Sequence, residues 1–415
     1  MEIIPRHILG HGRELLANFP VVVIQGARQV GKSTLANLLV EKGPGIQVTL
    51  DDTATLAALR HDPDTFLTQA GDGTLVIDEA QLDPELPRAI KKLVDRDRRP
   101  GRFLLTGSAN LLRTRSATDS LAGRAVTLRL RGLSQGEIHH QHDDFVTALL
   151  ESSAPASITT ELTRLDYIQA LSTGGFPEMQ RRLNTRMTQA WLSSYLERIL
   201  DRDAPLVSRG SAKERLATLT RLLAAAQGEE LVKARLAEQA SIPQGTITGY
   251  LDALEAIFLT EKLKPWTANL TTREIGRPKI SISDPALALR LAETPPSQLA
   301  SLRSEVFGHH LEAFVVSELL KQQGWSETEF TLSHFRDRNG LEVDIVIELA
   351  DGSVIAVEVK ASASHRPDHF RNLLKLEELL GARFRRGVVL NTAPGGFQFS
   401  RTCVALPVAA LWELT

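Results

Sequence analysis

Val21-Val22-Val23-Ile24-Gln25-Gly26-Ala27-Arg28-Gln29-Val30-Gly31-Lys32-Ser33-Thr34 is the stretch whose reading decides the fold. An unbroken apolar run reads as a strand buried on both faces, as in a parallel sheet. Gly26 and Gly31 then bracket a loop, and Lys32-Ser33-Thr34 opens a helix with Leu35, Leu38 and Leu39 on one face. The spacing G-x-x-x-x-G-K-S is that of a phosphate-binding loop. Its backbone N–H groups must turn into one concavity, which needs glycine where a side chain would block the phosphates. The helix that follows offers its free N–H groups and positive dipole end to the same anion. Residues Gly26, Ala27, Arg28, Gln29, Val30, Gly31, Lys32, Ser33 and Thr34 are therefore expected to hold ATP. Lys32 would reach the β- and γ-phosphates, and the Ser33 hydroxyl would hold Mg²⁺.

Working outward, Thr74-Leu75-Val76-Ile77-Asp78-Glu79-Ala80-Gln81 is an apolar run of strand length ending in two acids. Asp78 is expected to support Mg²⁺ with Ser33, and Glu79 to polarise an attacking water. A third strand, Arg102-Phe103-Leu104-Leu105-Thr106-Gly107-Ser108, ends in small polar residues. In P-loop ATPases with an inserted central strand, a polar residue there senses the γ-phosphate; Ser108 is the first candidate and Thr106 the second. Strand–helix alternation to about residue 135 implies a parallel sheet with ligands at the carboxyl ends of its strands. An arginine-rich stretch follows, with Arg113, Arg115, Arg124, Arg129 and Arg131 against Asp119. Arg124, in Leu121-Ala122-Gly123-Arg124, is the candidate arginine finger for a neighbouring subunit, set against the alternative of a solvated or ion-paired surface.

Bulk composition narrows the class. A chain of 415 residues, 42% hydrophobic and 24% charged, fits a multidomain globular protein. One cysteine, Cys403, permits no intramolecular disulfide and fits a reducing compartment. No apolar run approaches the roughly 18–20 residues of a membrane helix, and the first residues lack the plan of a signal peptide, so the cytoplasm is expected and no membrane partner. A formal net charge of −2 argues against coating nucleic acid by bulk electrostatics, though not against local basic patches.

The middle of the chain reads as helical from Ser134 to Arg202, broken by the loop Gly174-Gly175-Phe176-Pro177. Trp191, Tyr195 and Ile199 stack on one helix face, as packing residues do. Between about Ala212 and Lys264 three helices precede a β-rich segment, the order of a winged helix, with Gln244 to Leu254 as the second helix of a helix-turn-helix. That helix carries no Lys or Arg, which phosphate and guanine contacts need. Basic residues lie around it instead, at Lys233, Arg235, Lys262, Lys264, Arg273, Arg277 and Lys279. DNA contact and plain domain packing both stay open.

Near the carboxyl end, Leu341-Glu342-Val343-Asp344-Ile345-Val346-Ile347 alternates as a strand, Asp351-Gly352 supplies a turn, and Val354-Ile355-Ala356-Val357-Glu358-Val359-Lys360 returns. Glu358 and Lys360 point to one side, while Val357 and Val359 face the core. An Asp across a hairpin from Glu-x-Lys is the layout of restriction-endonuclease-like nucleases, in which two carboxylates bind Mg²⁺ and the lysine orients or deprotonates water. Glu312, on an upstream helix, is a further acidic ligand, so the expected metal set is Glu312, Asp344, Glu358 and Lys360. The alternative is a hairpin with a surface ion pair. From Glu305 onward acids outnumber bases, and Arg383, Arg385 and Arg386 form the one basic cluster.

Taken together the motifs resemble a bacterial and archaeal family of AAA-type ATPases with a C-terminal domain of unknown function. They include the P-loop, Leu75 to Gln81, Leu105-Thr106-Gly107-Ser108, Leu121 to Arg124, Gly174 to Glu178, Ser283-Asp284-Pro285 and the Glu312, Asp344, Glu358, Lys360 set. The C-terminal arrangement is also similar to archaeal Holliday-junction-resolving nucleases, whose equivalents of those four residues act at the metal site. The resemblance implies ATP hydrolysis, assembly as a homo-oligomer and work on DNA. The expected architecture is α/β: a P-loop ATPase sheet over 1–135, a helical linker or lid over 136–205, a winged-helix-like domain over 206–300 and a restriction-endonuclease-like α/β domain over 301–415. The leading expectation is an ATP-driven motor or switch acting on DNA, branched DNA included, in genome maintenance or defence. The alternative is a nucleotide-dependent signalling or interaction switch whose nuclease-like domain only binds a partner. A P-loop kinase is disfavoured because Glu79 beside Asp78 suits activation of water.

Overall fold

The computed structural model describes residues 3–41, 43–107, 120–181, 184–202, 212–267, 276–301 and 305–414. Contacts divide the chain into two compact units, Met1–Leu133 with Ala256–Phe258, and Ser134–Glu255 with Leu259–Thr415.

The first unit is built on five parallel strands: β1 (Val21–Gln25), β2 (Gly45–Thr49), β3 (Thr74–Asp78), β4 (Phe103–Gly107) and β5 (Ala125–Arg129). Their order across the sheet is β2-β3-β4-β1-β5, so β4 is inserted between the P-loop strand and the acidic strand, as the sequence predicts. Every residue of β1 and β4 is buried, whereas the edge strand β2 is mostly exposed. Continuous apolar runs belong where both faces are covered. Register brings Ile24 opposite Thr106 and Ile77 opposite Leu105, which aligns the carboxyl ends of the three central strands. The helix Lys32–Val40 buries Leu35 and Ala36, with Leu38 and Leu39 half-buried.

The second unit holds β6 (Thr260–Pro265), β7 (Lys279–Ile282), β8 (Phe330–Arg336), β9 (Glu342–Leu349), β10 (Val354–Lys360), β11 (Phe384–Asn391), β12 (Phe397–Gln398) and β13 (Cys403–Pro407). They form one sheet in the order β12-β13-β11-β10-β9-β8-β6-β7. The pairs β8–β9 and β9–β10 are antiparallel, and β10–β11, β11–β13 and β6–β8 are parallel. The turn between β9 and β10 is closed by Gly352 at φ +78° and by the Asp351 carboxylate accepting from Ser353 N at 2.8 Å. Alternation along β10 sends Ile355, Val357 and Val359 into a core with Leu311 and Phe314 of the helix Glu305–Gln322. Val354 and Ala356 face the other core, with Phe370, Leu373 and Leu376.

By contacts, residues 136–255 and 259–415 group together, so the boundaries expected near 205 and 300 lie inside this unit. Side chains of the Glu305–Gln322 helix tie the early helices in. Gln322 accepts from Phe145 N at 2.9 Å and donates to Leu411 O at 2.7 Å, while Glu318 accepts from Gln135 N at 2.8 Å. Tyr167, 1% exposed, accepts from Ala409 N at 3.1 Å. Two sequence motifs form one joint here. Gly174 sits at φ +68° against the buried Asp284 carboxylate, which accepts from Gly175 N at 2.8 Å and caps the helix Pro285–Leu291. Trp191 stacks on Tyr195 with centroids 5.1 Å apart, and Phe176 packs on both, so that stripe is core.

Three helices, Ala212–Ala225, Lys233–Gln239 and Ile247–Ala256, precede the β6–β7 hairpin. The third begins at Ile247 rather than Gln244, because Pro243 to Thr246 closes as a turn with Thr246 N on Pro243 O at 2.9 Å. The hairpin does not stand free: β6 pairs with β8 and extends the sheet.

Candidate functional site

The P-loop is shaped by what surrounds it. A Cβ on Gly26 would lie 2.1 Å from the Leu130 carbonyl oxygen, so the residue after β1 has to be glycine. Gly31 at φ +100° and Gln29 at φ +62° are both left-handed, the kind of alternation that turns successive N–H groups to one side. Lys32, 6% exposed, folds its ammonium over the loop and donates to Gly26 O at 3.1 Å and Ala27 O at 2.8 Å. Ser33 Oγ donates to Asp78 Oδ2 at 2.9 Å, and Thr106 Oγ1 donates to the other Asp78 oxygen. Asp78 is thereby aimed from both sides, once by the helix and once by β4.

This geometry fits magnesium and nucleotide. Two oxygens bound next to each other on an octahedral Mg²⁺, at about 2.0–2.1 Å each, stand about 3 Å apart. The Ser33–Asp78 separation matches that without rearrangement. Glu79, the residue after β3, is left-handed at φ +54°, and its carboxylate accepts from the Gln81 side chain. Such backbone in a non-glycine residue costs about 1–3 kcal/mol and concentrates at functional sites. Ser108, Arg113, Arg115 and Asp119 lie outside the described residues; of the two hydroxyls predicted to follow the nucleotide, Thr106 is the one described against Asp78. Arg124 is held by its own unit: Nε meets Asp95 Oδ1 at 2.5 Å and Nη1 donates to Ala122 O at 3.1 Å.

One residue of this site was not legible in sequence. Arg6, ahead of the first helix, donates to Val30 O at 2.9 Å within the P-loop and to Arg131 O and Gly132 O at 2.9 and 3.4 Å. It clamps the loop to the segment leaving β5. A lone basic residue in Pro5-Arg6-His7 carries no motif that would have marked it.

In the second unit the predicted acids and lysine do come together. Asp344 accepts from Val359 N at 2.8 Å across the β9–β10 hairpin. Lys360 Nζ lies 2.5 Å from Glu358 Oε2 and 3.9 Å from Asp344 Oδ2. Burial, then the Asp344 charge, pushes the Glu358 carboxyl up to about 8, against the pull of Lys360 and Asn372. Its Oε1 is buried with no hydrogen-bond partner, the kind of orphaned oxygen a cation would satisfy. Glu312 is likewise pushed up to about 8 by burial and by Asp344, with Lys279 opposing.

Lys279 corrects the sequence reading. Its position in sequence places it with the basic residues around the helix-turn-helix, yet its side chain is buried in the acid cluster, 2.8 Å from Glu312 Oε1 and 3.3 Å from Glu342 Oε1. Burial pulls its ammonium down, but Glu312, Asp344 and Glu342 together raise it above the ordinary lysine value. Lys262, from the same group, pairs with Glu255 at 2.7 Å and Asp252 at 3.7 Å, and Arg383 pairs with Glu348 at 3.3 Å. Among the described residues, no group of three or more His, Cys, Asp or Glu stands ready to hold a metal as arranged. No described helix is long and apolar enough to cross a membrane.

Comparison with known proteins divides the chain into three matched segments. Residues 18–139 match the family described as AAA domain. Residues 164–298 and 307–411 match two domains of unknown function, DUF8612 and DUF4143. An uncharacterized protein of Mycobacterium tuberculosis and one of Mycobacterium bovis are each 30% identical over 399 residues, spanning 95% of this chain and 81% of theirs. Among solved structures, the chain is similar to the Walker-type ATPase of Pyrococcus abyssi, with 14% identity and a TM-score of 0.43 over 70% of this chain and 96% of that one. It is also similar to the Thermotoga maritima RuvB Holliday junction branch migration motor, with 17% identity and a TM-score of 0.30 over 62% and 90%.

Proposed function

Because the chain belongs to the family of those two mycobacterial proteins, with an AAA domain of the P-loop ATPase type, we propose that it hydrolyses ATP to drive or switch an action on DNA, branched DNA included, and that its second unit carries a metal-dependent nuclease-like end. One observation carries the ATPase reading: Ser33 and Asp78 stand 2.9 Å apart beneath a lysine folded over the P-loop. Lys32 leaves two neutral carbonyls for the β- and γ-phosphates, a charge-assisted exchange that favours the nucleotide. Magnesium, when bound by Ser33 and Asp78, supplies charge stabilisation at the phosphates. Glu79 gives up Gln81 to accept a proton from the attacking water. In this reading the chain acts as a homo-oligomer, with Arg124 released from Asp95 toward a neighbouring copy.

The DNA half rests on the helix bearing Glu312 lying beside the hairpin bearing Asp344, Glu358 and Lys360, the layout expected of restriction-endonuclease-like nucleases. Asp344 and Glu358 would hold the ion, Glu312 would border it, and Lys360 would orient or deprotonate the water. The test has two arms. ATP turnover is expected to vanish in Lys32→Ala and to stall with ATP bound in Glu79→Gln; normal turnover in both rejects the ATPase. Linear, forked and four-way DNA with Mg²⁺ or Mn²⁺ is expected to be cut by the unsubstituted chain and not by Asp344→Ala. A second reading, a nucleotide-dependent switch whose carboxyl-terminal fold only binds a partner, is favoured by Lys279, which already neutralises Glu312. Intact DNA in every lane decides for it.

A further inference from the structure

The acid cluster is asymmetric. At one end stand Glu312 and Glu342, both in contact with Lys279 Nζ, and Arg336 lies 3.9 Å from the outer oxygen of Glu342. At the other stand Asp344 and Glu358 with Lys360, whose side chain is 32% exposed and where the Glu358 Oε1 has no partner. Lys279 and Glu312 are shut in by the chain itself, while the outer carboxylate of Glu342 and the Lys360 side chain both reach solvent. Gly228, left-handed at φ +73°, passes so near that a Cβ there would lie 3.4 Å from Glu312 Oε1.

Lys279 is also delivered rigidly. β7 pairs with β6, Leu263 opposite Lys279, and on its other side with the segment before the second helix. There Leu231 N donates to Pro278 O at 2.8 Å, Ile280 N donates to Glu229 O at 3.3 Å, and Glu230 bridges to Lys279. A lysine held from both flanks and 5% exposed cannot swing out as a surface lysine does.

We infer that Lys279 is a built-in cation of this site: it fills the position beside Glu312 and Glu342 that a second divalent ion would take, so the cluster binds one divalent ion, between Asp344 and Glu358. This rests on the metal-site reading above. It makes Lys279 a positioning residue, which fixes Glu312 and sets the ion count without touching substrate. It also links the β6–β7 hairpin to metal occupancy, since moving one would uncover the other.

The test counts Mn²⁺ by titration calorimetry on the full chain, free of nucleotide and carrying Asp78→Asn so that the P-loop contributes no ion. The chain with Lys279 intact is expected to bind one Mn²⁺ that Asp344→Asn abolishes. Lys279→Met and Lys279→Gln are expected to add a second ion or to tighten the first at least tenfold, while Lys279→Arg keeps the count at one. One ion with Kd within twofold in the folded neutral variants overturns the role of Lys279 and leaves the metal site standing. No Asp344-dependent ion in the chain with Lys279 intact overturns both. Should the neutral variants fail to fold, a Mn²⁺-soaked crystal of the natural chain decides. One anomalous peak beside Glu358 with Lys279 still on Glu312 supports the inference; a peak on Glu312 with Lys279 displaced overturns it.

Discussion

Thr106→Val is the sharpest probe of how the nucleotide site is built. Thr106 is fully buried at the end of β4, and its hydroxyl donates to one Asp78 oxygen while Ser33 donates to the other. Valine keeps the shape and removes only the donor. A hydrogen bond to a charged group contributes about 1.5–3 kcal/mol. Asp78 is half-buried, so water takes part of the vacated role and the loss falls at the lower end, about 1.5 kcal/mol. If that loss appears as misorientation of Asp78, Mg²⁺ affinity in the presence of ATP falls about tenfold, since 1.4 kcal/mol is a factor of ten. The assay is steady-state ATP hydrolysis against Mg²⁺ concentration at saturating ATP. Half-saturation is expected to rise about tenfold, the rate at high Mg²⁺ to recover, and Thr106→Ser to restore both. Half-saturation unchanged in Thr106→Val refutes the idea that β4 aims Asp78.

Other consequences are open to measurement. Arg6→Ala removes the clamp on Val30 O, Arg131 O and Gly132 O, and should raise the ATP KM about tenfold with little change in kcat; Arg6→Lys should recover only part, because an ammonium lacks the planar fork that bridges separate carbonyls. Arg124→Ala should lower kcat by about a hundredfold or more if this arginine completes a neighbour's site, whereas Asp95→Ala, which frees it, should not; equal small effects from both would mark a surface ion pair. Glu312 and Glu358 carry folded pKa values of about 8, above the ordinary 4.5, with burial as the first cause and Asp344 next. A raised carboxyl binds more protons folded than unfolded, so its contribution is fully present below 4.5 and is lost as pH rises toward 8. The Tm of the second unit should therefore fall between pH 5 and pH 8, and Glu358→Gln should flatten the slope; a Tm flat over that window would contradict it.

How much of this was legible in the sequence follows from where each signal sits. The P-loop is contiguous, and its glycines report local backbone demands at Gly26 and Gly31 that no distant residue changes. The β3 end and the inserted β4 are apolar runs with polar termini, which strand periodicity exposes directly. Asp344, Glu358 and Lys360 were recoverable because a hairpin with an Asp-Gly turn fixes its own register. Lys279 was hidden for the opposite reason. It lies 33 residues before Glu312 and in a strand whose pairing partners are themselves nonlocal, so nothing local distinguishes it from the exposed bases around it. Arg6 reaches residues 24 and 125 or more positions away, and three carbonyl acceptors leave no trace in side-chain pattern. The bonds that tie the later regions to one another were hidden for a similar cause: glutamine and tyrosine side chains, which read as surface or generic polar positions, make them in the core.

The two lysines that matter most are held by different kinds of acceptor, and that difference sets what each can do. Lys32 rests on two neutral carbonyls. Bonds of that kind contribute about 0.5–1.5 kcal/mol each, and bonds to an ionised acceptor are roughly twice as strong. An arriving phosphate therefore outcompetes them. Lys279 rests on carboxylates and is itself 5% exposed. Removing it would leave Glu312 and Glu342 without their shared cation. The first lysine is built to exchange partners during turnover, and the second to stay. Lys360, one-third exposed and shared between Glu358 and Asp344, lies between these cases, which is where a lysine must lie to release its acids to a metal and still remain beside the water.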